Sequence, residues 1–420
     1  MKKEMRDSEM ENEKLALHGG TPIRMNKFAK WPEFDDEEIN AVLDVVRSGI
    51  WSRAQYTNHL KYQYETESYI GKFEKKFTDF LGVDYGVFVN SGTSALHLAF
   101  EALELEEGSE VITTPYTFFS TAIPLYRNKL TPVFVDVDEN GNIDADLIEA
   151  EITDKTKALL IMHCGGYPCN MDKIQNICKK YKLHLIQDCA HALYSEYNHR
   201  HVSTYGGISI FSFEASKNLN SGEGGFVATD DQLLFEKMYS IQSCGRPVGG
   251  EWRTHINMCE NFRPTEFQGA LALTQLAKCS DQQKRRDNNM SYLNEALKNH
   301  PLVSPIALKG DATSHGAYGY LLKINEAYRR KITGKRLSIY CETEGIPCNS
   351  GYLKLIPEID YAKRFTTEEE RARIIEKCPN AQKFIKYTIW LPQTILISSI
   401  DDVKDVVKAL DKIAANINIG

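Results

Sequence analysis

Between residues 75 and 275, short apolar runs alternate with segments of helical periodicity. The apolar runs are rich in Val, Ile and Phe and fall at residues 85–90, 111–114, 132–137, 157–163, 184–188, 208–213 and 225–229. Runs of this length and composition are typical of strands that are buried on both faces. The intervening segments 93–103 and 171–181 carry apolar residues at helical spacing. This alternation predicts an α/β fold with a mostly parallel seven-stranded sheet between two layers of helices.

The pattern changes after residue 275. A charged helix is predicted over 276–298, and it is followed by a mixed region and by an amphipathic helix over 401–415. We therefore predict three parts: a disordered leader over 1–18, a large domain with an N-terminal arm over 19–275, and a small C-terminal α/β domain over 276–420. The segment 20–75 is expected to pack on the large domain or on a neighbouring subunit.

Composition narrows the class of protein. The 420 residues are 42% apolar and 25% charged with a net charge of −7, so neither nucleic acid nor an anionic membrane surface is an expected partner. No apolar run reaches the length of a membrane span. Ten cysteines without a Cys-x-x-Cys pair, behind a densely charged N-terminus, predict reduced thiols in a cytoplasmic protein and no metal site.

The first candidate for chemistry is the sequence NSGTS at residues 90–94, where a strand meets a helix. Gly92 permits a tight turn, and the helix that starts at Thr93 and Ser94 would offer free N–H groups to a phosphate. An ordinary helix N-cap explains the same residues.

The second candidate is Asp188, at the end of the fifth apolar run. Its carboxylate could pair with a protonated pyridine nitrogen. An N-cap or a structural salt bridge explains the same residue.

The third candidate is Lys217, five residues after Ser212 in FSFEASKNLNSGEGG. A desolvated lysine amine can attack an aldehyde, whereas a lysine in a polar loop would have no such role. The glycines at 222, 224 and 225 favour close backbone packing over a free loop. A lysine nucleophile, a carboxylate and a phosphate turn are together the parts that a pyridoxal phosphate (PLP) enzyme needs.

The order of these motifs resembles that of fold-type I PLP enzymes. The chain is similar to the DegT/DnrJ/StrS sugar aminotransferase family over residues 15–413, through NSGTSALHLAFEAL, TPYTFFSTA, PVFVDVD, QDCAHA, FSFEASKNLNSGEGG and NFRPTEFQGALALTQL. The resemblance implies a PLP-dependent aminotransferase that works as a homodimer with shared active sites. The amino donor would be L-glutamine or L-glutamate, and the acceptor a keto group on a sugar or cyclitol ring.

The resemblance also implies a role for each matching residue. Lys217 would form the imine with the cofactor and move a proton from the donor's α-carbon. Asp188 would hold the pyridine nitrogen, His191 would contact the ring hydroxyl, and Phe118 would stack on the cofactor. The phosphate would be bound by Thr93, Ser94 and Ser212, and by Asn261 from the neighbouring subunit. Arg263 lies beside Asn261 in its motif without an assigned role.

Other segments resemble a branch of the family that includes scyllo-inosose aminotransferases and 3-amino-5-hydroxybenzoate synthases, enzymes of antibiotic and other secondary metabolism. A synthase of the second kind, which dehydrates an aminated ring, is therefore one alternative. A non-catalytic PLP-fold regulator is another.

The chain has Gly206-Gly207 where many members have Gly-Asp. This difference leaves open which neighbouring residues hold Ser212 in place. The acceptor is expected to meet loops at 50–65, 164–169, 245–265 and 348–356, and possible substrate contacts are Tyr352, Arg246 and His163.

Overall fold

The computed structural model describes residues 14–53, 68–249 and 253–417. Its helices are α1 (Asp36–Ser48), α2 (Tyr69–Leu81), α3 (Gly92–Leu103), α4 (Phe119–Arg127), α5 (Met171–Tyr181), α6 (Gln232–Gln242), α7 (Glu266–Leu297), α8 (Gly334–Thr343), α9 (Glu368–Lys377), α10 (Pro379–Tyr387), α11 (Gln393–Leu396) and α12 (Ile400–Asn416). Its strands are β1 (Tyr85–Val89), β2 (Glu110–Thr113), β3 (Thr131–Phe134), β4 (Thr156–Met162), β5 (His184–Asp188), β6 (Glu196–Tyr197), β7 (Arg200–His201), β8 (Ile208–Ser212), β9 (Gly225–Thr229), β10 (Val303–Pro305), β11 (Ala312–Ser314), β12 (Gly319–Ile324) and β13 (Thr388–Pro392).

The main sheet has seven strands in the order β1-β9-β8-β5-β4-β2-β3. The strands β8, β5, β4, β2 and β3 run parallel to one another. The strand β9 is antiparallel to both of its neighbours, β1 and β8, so six of the seven strands point the same way. Each of the seven predicted apolar runs forms one of these strands, which confirms the predicted α/β fold with its mostly parallel sheet.

Both faces of this sheet are covered, as the continuous apolar runs require. One face packs on α3 and α6 through a core that includes Leu98, Ile186 and Val227. The other face packs on α2 and α5 through buried side chains that include Phe73 and Ile174. Because helices close off both faces, a ligand can reach the sheet only at the ends of its strands.

The long helix α7 begins at Glu266, ten residues before the predicted start. Thr265 caps it, because its side chain accepts from the backbone of Gln268 while the Gln268 side chain accepts from Thr265 N at 2.8 Å. This is a capping box, and its Thr-x-x-Gln signature was readable in the sequence. Gly269 lets the first turns approach α2 closely, since a Cβ there would lie 2.7 Å from Ile70 N. The proposed division between residues 275 and 276 therefore falls inside a continuous helix and stays a prediction.

A second core is built around the antiparallel sheet β10-β12-β13. The C-terminal half of α7, with α8 and α12, packs against this sheet. The helix α12 buries the face that its periodicity predicts, formed by Val403, Val406, Leu410 and Ile413. A short third sheet, β11-β6-β7, joins the segment after β5 to the segment before β12.

Residues 14–28 pack in this second core, whereas contact of the segment 20–75 with a neighbouring subunit stays a prediction. Leu15 is buried in it, and Ile23 and Phe28 pack against it. Arg24 forms ion pairs with two aspartates of α12, Asp402 at 2.7 Å and Asp405 at 3.1 Å. Residues 1–13 of the predicted leader lie outside the described residues, but residues 14–18 are part of the folded chain.

A buried ion pair holds the N-terminal segment in place. Lys412 Nζ donates to Glu344 Oε2 at 2.9 Å and to the carbonyl of Thr21 at 2.7 Å. The same carboxylate accepts from the backbone N–H groups of Ala16 at 2.8 Å and Ile23 at 3.1 Å. Both charged side chains are 1% exposed, so each depends on the other for its counter-charge.

Changing Lys412 to methionine is expected to lower the free energy of unfolding by about 3–5 kcal/mol, because it leaves Glu344 as an uncompensated buried charge. Urea titration followed by circular dichroism measures the loss. The control is Lys408→Met on the same helix, which removes an exposed pair with Asp405 and should cost about 0–1 kcal/mol. Equal midpoints for the two variants would contradict the structural role of Lys412.

All ten cysteines are free thiols, and eight of them are buried. The eight buried cysteines fill core space, as most of the ten were predicted to do. Across the three described ranges, we find no helix with both the length and the apolar character needed to cross a membrane.

Candidate active site

A cavity of about 700 Å³ opens at the carboxyl ends of the central strands. Asp188 ends β5 and Ser212 ends β8, and both line it. The opposite wall comes from the second core, through Gly319 at the start of β12 and Trp390 in β13. The site therefore lies between the two cores, at the position where ligands bind in open α/β sheets.

The N-terminus of α3 forms one end of this cavity. Ser91 is its N-cap, and the Ser91 hydroxyl accepts from Ser94 N at 3.1 Å. Gly92 and Thr93, in the first turn, line the cavity. A Cβ on Gly92 would lie 2.8 Å from Ser212 Cβ, so only glycine lets this turn and the end of β8 meet. The free N–H groups, the helix dipole and nearby hydroxyls form a cradle for an anion.

Of the three side chains predicted to bind phosphate, Thr93 and Ser212 line the cavity and Ser94 does not. The Ser94 hydroxyl donates to Asn90 Oδ1 at 2.6 Å. Ser91, which had no assigned role, lines the cavity instead. The N-cap preference of serine could have indicated this position, because a capping side chain must lie beside the first free N–H groups.

Asp188 is a buried carboxylate with one donor on each oxygen. Thr121 Oγ1 donates to Oδ2 at 2.7 Å and Ala190 N donates to Oδ1 at 3.1 Å. Burial raises the pKa of Asp188, while the Thr121 and Ala190 hydrogen bonds and the charge of Lys217 work in the opposite direction. Thr121 had no predicted role, although it stands in the quoted motif TPYTFFSTA. It fixes the carboxylate so that its remaining acceptor sites can meet a ligand.

Lys217, His191 and Tyr318 form one cluster in the cavity wall. The Lys217 amine lies 4.2 Å from the centre of the Tyr318 ring. The other neighbour of this ring is His191, stacked at a centroid distance of 4.0 Å and 10° from parallel. Burial, and then the charge of Lys217, hold the pKa of His191 well below its usual range. His191 is therefore neutral at physiological pH, and its buried Nδ1 has no hydrogen-bond partner among the described residues.

The loop that carries Lys217 is anchored at several points. Lys217 N donates to Glu214 O at 2.8 Å, and Lys217 O accepts from Trp31 Nε1 at 3.2 Å. Ser216 Oγ donates to Glu214 Oε2 at 2.5 Å and lies 3.2 Å from the Tyr318 hydroxyl. These contacts restrict the backbone around Lys217 and leave its amine directed into the cavity wall.

Aromatic side chains form much of the remaining wall. Phe118, predicted to stack on the cofactor, lines the cavity and is half exposed. Tyr352, one of the possible substrate contacts, also lines it, with its ring 5.7 Å from that of Trp390. Such rings provide flat apolar surfaces for a planar ligand.

Three residues to which the sequence analysis gave a role do not line this cavity: His163, Arg246 and Asn261. His163 is fully buried, with Nδ1 accepting from Cys169 N at 3.1 Å, so its prediction as a substrate contact is wrong. Arg246 donates to the carbonyl of Ser243 at 3.0 Å. Asn261 is exposed, and its role towards a neighbouring subunit stays a prediction. Of the predicted loops, 54–65 and 250–252 lie outside the described residues.

The pair Gly206-Gly207 lies at the start of β8, at the end of the strand opposite to Ser212. A Cβ on Gly207 would lie 2.1 Å from Leu185 O, and both glycines have positive φ, 90° and 79°. A side chain at Gly207 would therefore be strained here. Ser212 is held by the pairing of β8 with β9, so the pair does not weaken its support.

The residues present fit PLP. The anion cradle at Gly92 matches a phosphate, the buried carboxylate of Asp188 matches a protonated ring nitrogen, and Lys217 supplies the amine. The unpartnered Nδ1 of His191 shows that this buried ring is not saturated by protein contacts. Within the described ranges, no cluster of three or more His, Cys, Asp or Glu side chains could hold a metal ion.

Comparison with known proteins supports this assignment. The model of the DegT/DnrJ/EryC1/StrS aminotransferase family matches residues 32–411. The spore coat polysaccharide biosynthesis protein SpsC of Bacillus subtilis is 32% identical, over 90% of this chain and 95% of its own. The L-glutamine:2-deoxy-scyllo-inosose aminotransferase of Micromonospora echinospora is 29% identical, over 96% of this chain and 98% of its own.

Among solved structures, 3-amino-5-hydroxybenzoic acid (AHBA) synthase superposes with a TM-score of 0.84 at 26% identity, covering 93% of this chain and all of its own. These matches extend over nearly the whole chain and confirm the family predicted from the motifs. The chain belongs to the DegT/DnrJ/EryC1/StrS family and is a PLP-dependent aminotransferase.

Proposed function

We propose that this enzyme moves an amino group from L-glutamine or L-glutamate to a ketone on a cyclitol or sugar-like ring, either an inosose or a nucleotide-linked ketosugar. The observation that carries the proposal is one cavity in which Lys217, Asp188 and the anion cradle at Gly92 meet. The name of the M. echinospora relative supports a cyclitol acceptor and glutamine as donor. We place the reaction in aminoglycoside or other secondary metabolism, or in cell-surface sugar biosynthesis.

The chain's own residues divide the work as follows. The cradle around Gly92, with Thr93 and Ser212, binds the phosphate. Asp188 holds a proton at the pyridine nitrogen, which keeps positive charge on the ring. When bound, PLP supplies an electron sink that stabilises negative charge at the carbon bearing the amino group. The Lys217 amine takes the proton from the donor's α-carbon, and it returns a proton to the acceptor carbon in the second half of the reaction.

The cavity also restricts where a ring can lie. His191 directs a neutral imidazole towards the position proposed for the cofactor's hydroxyl group. Phe118 offers an apolar face on which the cofactor ring can stack. Tyr352 and Trp390 form the wall that we assign to the acceptor. Because most of this wall is aromatic, the acceptor meets flat apolar faces and a few polar groups.

The test is a screen with purified holoenzyme. L-glutamine or L-glutamate is combined with inososes, nucleotide-linked ketosugars and aminoshikimates, and products are read by mass spectrometry and ultraviolet absorbance. We expect an aminated ring without a new aromatic chromophore. No amination of any ketone by enzyme that carries PLP would overturn the proposal. The Lys217→Ala variant gives the background rate.

A 3-amino-5-hydroxybenzoate synthase activity is the second candidate, and the structural likeness to AHBA synthase favours it. That reaction needs the same lysine but gives an aromatic product. Aromatic absorbance from the aminoshikimate arm of the screen, with no aminated cyclitol, would select it. The non-catalytic alternative is not retained, because the chain belongs to a family of aminotransferases.

We further propose that the enzyme is a homodimer whose two copies share their active sites, and that it works in the cytoplasm. Asn261 is exposed, and in the same loop Ile256 and Met258 expose large apolar side chains, which is typical of a contact surface. Ten free thiols support a reducing compartment. Light scattering tests for the mass of two chains. Mixing Lys217→Ala with Asn261→Ala subunits should restore activity if Asn261 serves the opposite site.

A further inference from the structure

Arg286 is a buried cation that forms no ion pair with a carboxylate of the described residues. It lies in α7 with 1% of its surface exposed, and no ion pair to it is found among the residues that the structure describes. Burial lowers the pKa of its guanidinium to about 10, so it stays charged at neutral pH. Its hydrogen bonds run from Nε and Nη2 to Gln393 Oε1, at 3.2 and 2.8 Å. Glu33 acts on this charge only through space, and a buried cation without a hydrogen-bonded counter-charge is costly to fold.

These two hydrogen bonds fix the orientation of the Gln393 amide. A guanidinium carries only donors, so the amide oxygen must face Arg286 and the NH₂ group must face elsewhere. Gln393 is 2% exposed and lines the active-site cavity, and its Nε2 has no hydrogen-bond partner among the described residues. A buried donor without a partner is costly in a folded protein and calls for a ligand.

Arg286 and Gln393 lie beside the loop that carries Lys217. The Arg286 guanidinium lies 5.1 Å from the centre of the Trp31 ring. Trp31 lines the cavity and donates its indole N–H to the carbonyl of Lys217. The wall formed by Trp31 and Gln393 therefore has a positive charge immediately behind it, in a setting of low dielectric where that charge acts strongly on a bound anion.

We propose that Gln393, with Arg286 behind it, recognises the α-carboxylate of the amino donor. Gln393 Nε2 donates to a carboxylate oxygen, and Arg286 both fixes the amide and supplies the counter-charge. This rests on the proposed function, in which the donor is an amino acid. An amino acid brings a carboxylate close to the carbon on which Lys217 acts, whereas the hydroxyl groups of a cyclitol bring no charge. A phosphate on the acceptor is the other source of negative oxygen, and the experiment separates the two.

The decisive variant is Gln393→Glu. The new carboxylate pairs with Arg286, so the protein should fold with an unchanged or higher melting temperature. The N–H donor is lost and a negative charge faces the substrate. In the donor half-reaction, followed by cofactor absorbance, KM for L-glutamine should rise about 10- to 100-fold, the range of one charge-assisted hydrogen bond. KM for the keto acceptor in the opposite half-reaction should stay unchanged.

A second arm uses the wild-type enzyme alone. The compound 4-aminobutanamide is L-glutamine without its α-carboxylate, and its kcat/KM should be at least about 10-fold lower, the loss of that same hydrogen bond. Gln393→Glu should reduce this preference. The matched control is Gln175→Glu, which adds the same charge at a half-buried glutamine that donates to Tyr205 O at 2.8 Å outside this cavity. It should leave both KM values unchanged.

The outcomes are distinguishable. Equal use of L-glutamine and 4-aminobutanamide by the wild type overturns the inference, whatever the stability of the variant. A rise in acceptor KM without a rise in donor KM also overturns it and assigns the pair to an anionic acceptor. In both cases the proposed function stands, because the wild type still transfers an amino group. If the wild type accepts no amino acid as donor, the proposed function fails and the inference falls with it.

Discussion

Replacing Lys217 with alanine is expected to lower turnover by about 10⁴-fold or more, because the same amine binds the cofactor and moves the proton at the donor's α-carbon. The measurement is the rate of amine transfer to the acceptor found in the screen. The fold should survive, since the lysine is half-buried and its backbone contacts to Glu214 and Trp31 do not involve the side chain.

The control for this variant is Lys335→Ala, an exposed lysine in α8, which should keep wild-type turnover. Borohydride treatment of the holoenzyme makes the bond between the lysine and the cofactor's aldehyde carbon permanent. Peptide mapping by mass should then place the label on Lys217. A label on any other lysine, or near-wild-type transfer by Lys217→Ala, would refute the assignment.

The second large effect is expected for Asp188→Asn. The amide has the same shape and can still accept from Thr121, but it carries no charge with which to hold a proton at the ring nitrogen. We expect the donor half-reaction to slow by about 10²- to 10³-fold, the size of a lost electrostatic contact in a buried site. Stopped-flow absorbance measures this rate, and alkaline release of the cofactor measures its content, which should change far less.

Thr121→Val is the matched variant for Asp188. It removes one hydrogen bond, at 2.7 Å, and leaves the carboxylate charged, so the half-reaction should slow by about tenfold or less. If Asp188→Asn reacts as fast as the wild type, Asp188 has no electrostatic role. If Thr121→Val slows the reaction as much as Asp188→Asn, orientation and not charge is the contribution of this carboxylate.

The main sheet and the heart of the site could be predicted because both follow from local patterns. Strands buried on both faces must be apolar throughout, and helices that pack on one face must repeat apolar residues every three to four positions. Each of the seven strands could therefore be identified from its own stretch of sequence. The carboxyl ends of parallel strands meet at one edge of a sheet. That geometry alone brings Asp188, Ser212 and Gly92 to one cavity, and the motif that follows Ser212 adds Lys217.

What could not be predicted depends on contacts between distant parts of the chain. Thr121 reaches Asp188 because α4 and β5 meet in the fold. Tyr318 stands between His191 and Lys217 only because the second core closes over the first. A single sequence contains no signal for such pairings, which arise when separately predicted elements are packed together. The prediction for His163 fails for a related reason. Its place after β4 can be identified from the sequence, but the direction of its ring, which lies in the core, depends on packing.

The attachment of the N-terminal segment to α12 has a consequence for the order of biosynthesis. Thr21 and Lys412, which bind each other, are 391 residues apart in the chain. At roughly 5–20 residues per second, the ribosome makes the second about 20–80 s after the first. During that interval the segment can already meet Glu344, but it lacks its contacts with Lys412, Asp402 and Asp405 of α12. The docking of the N-terminal segment is therefore completed among the last events of synthesis, and a nascent chain that stops before α12 cannot neutralise the buried charge of Glu344 with Lys412.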